Sequence, residues 1–143
     1  LGLARLLFEL MPGEGEVGMR IYGRRKTMSL ERLQMFSGPK KNIHTDADAA
    51  RRAGLRAPIA SATQSMGHVC EVMIDYFGEG WLQGGTLKAT FVRPIFVGDV
   101  LAYDGRIAEK SVGGDVATYA VELTGLNHNG QPVTLATATA VGQ

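Results

Sequence analysis

Apolar residues recur every three or four positions in the first half of the chain and every second position in the second half, which marks a change from helix to strand. Between Pro58 and Phe77, "PIASATQSMGHVCEVMIDYF" sets Ile59, Thr63, Met66, Cys70, Met73 and Phe77 at spacings of three and four. That spacing predicts a long central helix with a wide apolar stripe. Two shorter helices are expected before it. In "SLERLQMFSG", Ser29 is a cap, Leu30, Leu33 and Phe36 share a face, and Gly38 and Pro39 end the helix. In "ADAARRAG", Thr45 or Asp46 supplies the capping oxygen and Gly54 closes the turn. "MRIYGRRKTM" has strand-like content upstream. After the turn "GEG", four segments alternate as strands do: "LKATFVRPIF", "DVLAYDGRIAEKS", "VATYAVELTGLN" and "PVTLATATAVG". Turns at Val97 to Asp99, Gly113 to Asp115 and Asn127 to Gly130 make them an antiparallel meander. The plan is α+β, an antiparallel sheet covering one long helix. Its open edge predicts a homodimer or larger homo-oligomer.

The length of 143 residues suits one domain with its own core. The Gly-rich, charged stretch "MPGEGEVG" reads as a connector, so residues 1–18 are expected to be an N-terminal extension and 19–143 a single domain. Arg5 and Glu9 interrupt the apolar opening "LGLARLLFELMPG", which argues against a membrane span. With 15 basic and 14 acidic residues the formal charge is +1, so no polybasic face is available for nucleic acid or a membrane surface. Cys70 is the one cysteine, which excludes an internal disulfide and points to a reducing, cytoplasmic setting. His44, His68 and His128 have no ligand spacing, so no metal site is expected.

Of the three histidines, His44 lies in a polar loop, "SGPKKNIHTDADAARRAG", where an imidazole titrating near neutrality suits acid or base work. His68 is placed for packing within a helix, and His128 in "NHNG" is a turn residue. Asp46 and Asp48 follow His44 closely, but acids there serve a helix N-terminus. Gly84 and Gly85 in "LQGGTLK" precede no helix, so they form no phosphate loop and read as a bulge or a close approach to substrate.

The succession "FSGPKKNIHTDADAARRAGLRAPIA", the central helix and "TFVRPIFVGD" resembles the MaoC-like dehydratases and (R)-specific enoyl-CoA hydratases of the hotdog fold, from about Gly18 to the end. Phe91, Pro94, Val97, Gly98 and Asp99 carry the second motif. The resemblance implies a sheet wrapped around the central helix, dimers with active sites near the subunit boundary, and a coenzyme A thioester as substrate or ligand, with no separate cofactor. The family's loop runs Ser or Thr, Gly, Asp, any residue, Asn, Pro, aliphatic, His. Ser37, Gly38, Ile43 and His44 match it, whereas Pro39 stands in place of the Asp, Lys41 of the Asn and Asn42 of the Pro. Ser61 and Ala62 likewise stand where His or Gln and then Gly are common. By this resemblance His44 is the acid/base residue, Asn42 can orient a water, and Glu71 is a distant analogue of the helix carboxylate in related hotdog dehydratases. The backbone at Ser61, Ala62 and Thr63 would hold the thioester oxygen, and Lys88 and Arg93, with Arg106 and Lys110 beyond them, could meet coenzyme A phosphates. The implied activity is adding or removing water at a 2-enoyl or 3-hydroxyacyl thioester. The missing Asp leaves two alternatives, a non-catalytic acyl-thioester-binding domain and an acyl-CoA thioesterase, though no nucleophile motif supports the latter.

Overall fold

The computed structural model describes residues 15 to 142. The expectations for the apolar opening, up to residue 14, lie outside the described residues. The elements are β1 (Arg20–Tyr22), β2 (Lys26–Thr27), α1 (Leu30–Ser37), α2 (Ala47–Arg52), α3 (Ala62–Phe77), α4 (Glu79–Gly84), β3 (Thr86–Phe91), β4 (Val100–Gly113), β5 (Val116–Leu126) and β6 (Pro132–Gly142). The sheet order is β1-β4-β5-β6-β3, with β2 also pairing with β4. Every pairing is antiparallel, so the meander follows from short turns between neighbours in sequence. Gly15 and Gly18 are already fastened to this sheet, Gly18 N–H donating to the Ile107 carbonyl at 2.8 Å.

Alternation in the long strands buries one face: Leu101, Tyr103, Ile107, Tyr119, Val121, Leu123, Ala136, Ala138 and Ala140 point inward. Against them lies α3, with Val69, Val72, Met73 and Phe77 in the same core. Each such side chain taken fully out of water stabilises the fold by about 1.5–3 kcal/mol. The alanines of β6 leave room for the helix to press close, while Phe77 packs on Tyr119 with ring centroids 5.4 Å apart.

The hotdog architecture is present, an antiparallel sheet with one long helix against it, but several details depart from the sequence pattern. α3 begins at Ala62 rather than Pro58, because Ile59 forms a bridge with Phe96 and Ala60 N–H donates to the Ile95 carbonyl at 2.8 Å. Those backbone groups are committed to a strand-like contact and cannot also make a helical turn. The buried stripe of α3 is also rotated, through Gln64, Ser65, His68, Val69, Val72, Met73 and Phe77, leaving Thr63 and Met66 on the exposed side. In α1 only Leu33 is buried, so Leu30 and Phe36 do not share its environment. The turn "GEG" opens a further helix, α4, and β3 stops at Phe91 instead of Phe96. Gly84 and Gly85 end α4, and no bulge forms there. A Cβ at Gly84 would come within 2.9 Å of Val141 Cγ2 and one at Gly85 would strike Trp81, so Gly84 lets α4 approach β6 and Gly85 makes room for Trp81 of the same helix.

Candidate active site

The His44 loop is built by its own polar side chains. α1 ends at Gly38, whose φ of 82° is one that glycine adopts without a Cβ penalty. Beyond Pro39, Thr45 Oγ1 donates to the Lys40 carbonyl at 2.7 Å and accepts from Asn42 N–H at 3.0 Å. Asn42 Oδ1 accepts from His44 N–H at 2.8 Å, an Asx turn that presents the imidazole. Asn42 therefore spends its oxygen on the backbone and its Nδ2 on the Lys40 carbonyl, at 3.2 Å. It shapes the loop.

The imidazole is held from the other side. His44 Nδ1 lies 2.8 Å from the Ile59 carbonyl oxygen, and Ile59 N–H donates to the Ile43 carbonyl at 3.2 Å. A carbonyl can only accept, so Nδ1 carries the hydrogen and the neutral ring presents a bare lone pair at Nε2. Because Ile59 runs directly into Ser61 and α3, the same contact sets the ring beside the start of that helix. Ser61 is the N-cap, its Oγ accepting from Gln64 N–H at 3.2 Å. The Ala62 and Thr63 N–H groups, in the first turn, have no intrahelical acceptor. Unpaired donors of this kind, with the helix dipole, can stabilise a negative oxygen.

None of the remaining sequence candidates is hydrogen-bonded to the His44 ring among the described residues. Glu71 is ion-paired with Lys26 Nζ at 2.5 Å and with Arg24 at 3.6 Å, which ties α3 to the β1–β2 segment. Asp46 caps α2, accepting from Ala49 N–H at 2.9 Å, and Asp48 pairs with Arg51. Among the described residues, no carboxylate is hydrogen-bonded to His44. Pro39 lines a cleft of about 550 Å³ with Gln34, Met35, Gly38, Lys41, Thr45 and Asp46. Lys88 is exposed on the edge strand β3, and Arg93 Nη1 donates to the Pro132 carbonyl at 2.9 Å. Arg106 pairs with Glu122 and Lys110 with Glu16. His68 is buried, its Nδ1 3.4 Å from Tyr103 Oη. Burial pushes its pKa down to about 4, with Lys26 acting in the same direction. Asp99 of the second motif is a structural residue: its Oδ2 accepts from Phe96 N–H at 2.8 Å and closes the turn around Gly98. Sequence reasoning missed Ile59, whose backbone oxygen sets the tautomer of His44. Only the apolar residue beside Pro58 marked the place.

A cluster of three or more potential metal ligands is absent among the described residues. A sequence search of curated proteins gives no match. Solved structures do match over most of their length. A MaoC-like dehydratase from Rhodospirillum rubrum superposes with a TM-score of 0.73 at 21% identity, covering 90% of this chain and 92% of its own. The R-hydratase PhaJ1 from Pseudomonas aeruginosa gives 0.69 at 21% identity, with 91% and 88% covered. The HadBC (3R-hydroxyacyl-ACP dehydratase) complex from Mycobacterium tuberculosis gives 0.71 at 18%, with 91% and 99% covered. At such identities these likenesses establish the fold. The sequence itself matches the family described as MaoC like domain over residues 18–127, and the chain belongs to that family.

Proposed function

We propose that the chain is an acyl-thioester hydratase or dehydratase, acting on 2-enoyl or 3-hydroxyacyl thioesters of coenzyme A, with His44 as its acid/base residue. The observation that carries this reading is the Nδ1–H to Ile59 bond at 2.8 Å, which leaves Nε2 as a base. In hydration Nε2 takes a proton from water as the water oxygen bonds to C3. The π electrons move to the thioester oxygen, where the Ala62 and Thr63 N–H groups stabilise the enolate. The imidazolium then returns its proton to C2. One imidazole thus balances the reaction, and the carboxylate replaced by Pro39 would serve to steady the water and the imidazolium. Lys88 and Arg93 are the proposed contacts for coenzyme A phosphates, and the substrate is the only small molecule the scheme requires. The lone cysteine, Cys70, fits a cytoplasmic setting.

A second reading, an acyl-thioester-binding domain without turnover, is favoured by the lack of a carboxylate on His44 among the described residues. The test is loss of the conjugated-enone absorbance on adding a 2-enoyl-CoA. His44→Ala should lower the rate about a hundredfold or more with the fold intact, and Pro39→Asp should raise it. Equal rates in wild type and His44→Ala would remove His44 from the mechanism. Thioester binding with no hydration in any variant would establish the second reading, and release of free thiol would establish a thioesterase.

A further inference from the structure

The start of α3 carries a buried polar group that the reaction scheme leaves unused. Gln64 is 4% exposed, and its Nε2 donates to the Arg32 carbonyl at 3.4 Å. Since a carbonyl only accepts, the amide is oriented with its nitrogen toward Arg32 and its oxygen away. That oxygen, Oε1, is shielded from water and has no hydrogen-bond partner. A buried acceptor left unpaired is destabilising, and methionine or leucine would fill the same position at no such cost.

Gln64 also lines a cleft of about 570 Å³ with Ser29, Glu31, Arg32, Met35 and Phe36. Met35 is 81% exposed and Phe36 51% exposed, so the cleft has an apolar wall. The Arg32 guanidinium has no ion-pair partner among the described residues. The cleft is linked to the proposed reacting centre along the chain: Ser61 caps the Gln64 N–H, and Ile59, two residues before Ser61, holds His44. A group arriving there meets the Arg32 guanidinium and an apolar surface, with the Gln64 oxygen behind them. A hydroxyl pairs both polar groups once the amide turns about its soft last torsion, donating to Gln64 Oε1 and accepting from Arg32.

We infer that this cleft receives the acyl chain and that Gln64 selects chains carrying a hydroxyl beyond C3. The inference rests on the thioester reading above. The experiment is calorimetric binding of octanoyl-CoA and of hydroxyoctanoyl-CoAs with the hydroxyl moved along the chain, so that turnover plays no part. One hydroxylated ligand should bind wild type about tenfold more tightly than octanoyl-CoA, because a site built around a polar partner discriminates against ligands lacking it. Gln64→Met should erase or reverse that preference and raise the thermal midpoint, since the unpaired oxygen is gone. Equal binding of all ligands to wild type would overturn the inference alone, and so would a preference that survives in Gln64→Met. If none of the ligands binds, the thioester reading falls and this one with it. Should Gln64→Met fold poorly, the wild-type comparison still decides.

Discussion

His68 illustrates how a single residue in this fold couples burial to pH. It sits under Tyr103 with ring centroids 5.9 Å apart in an edge-on arrangement, and Lys26 of β2, Arg32 of α1 and Glu71 of its own helix act on it. Burial, the largest influence, lowers its pKa from 6.5 to about 4. Between those values the unfolded chain binds a proton that the folded chain refuses, so stability is full above the upper value and falls on acidification. Allowing for partial solvation, the loss is roughly 2 kcal/mol. Chemical denaturation at stepped pH should show the decline in wild type, and His68→Leu should flatten it; an unchanged slope would mean another group titrates there. Individual residues also set the limit of what the sequence conveyed. The polar loop around His44 and the capping role of Asp46 were legible because both depend on neighbours within a few positions. The Ile59 carbonyl and the unpaired oxygen of Gln64 were not, since each acquires its meaning from a contact distant in sequence.

Elements show the same division. Strand alternation and the turns of the meander are local signals, and β4, β5 and β6 follow them closely. At the start of α3 and in α4, tertiary contacts override the local pattern. "PIAS" has helical apolar spacing but is drawn into the bridge to Phe96, and the glycines around Trp81 look like a turn while they let α4 lie on β6. The glycines of neighbouring helices should therefore respond oppositely to alanine. At Gly80 a Cβ would overlap the Val141 carbonyl of β6, so Gly80→Ala should cost about 1–3 kcal/mol, as overpacking does. At Gly67, inside α3, an added Cβ meets nothing within 4 Å, and Gly67→Ala should stabilise by up to about 1 kcal/mol. Thermal unfolding of the two variants distinguishes the cases. A neutral Gly80→Ala would show that α4 is not pressed on the sheet.

For the whole molecule the unanswered demand is the sheet edge. β3 pairs with β6 on one side only, and near its end Phe91, Val92 and Leu135 are 40%, 42% and 44% exposed. An edge with unpaired backbone groups and apolar side chains is a template for a further strand, and a second copy of the same chain provides one with matching chemistry and closed symmetry. We expect a homodimer joined through this edge, with a thermal midpoint that rises with protein concentration. Phe91→Lys places a charge in that edge without touching His44 or the start of α3, and should shift sedimentation toward the monomer. A wild type that sediments as a folded monomer from micromolar to nanomolar concentration would rule the edge out as an interface. The same series tests whether the proposed active site is complete in one chain. No carboxylate is hydrogen-bonded to His44 among the described residues, so if the partner subunit supplies the group that Pro39 cannot, hydration per chain should fall as the dimer dissociates. A rate per chain independent of dilution, measured across the concentration range where sedimentation detects dissociation, would place the whole reaction on His44 and the helix start of a single subunit.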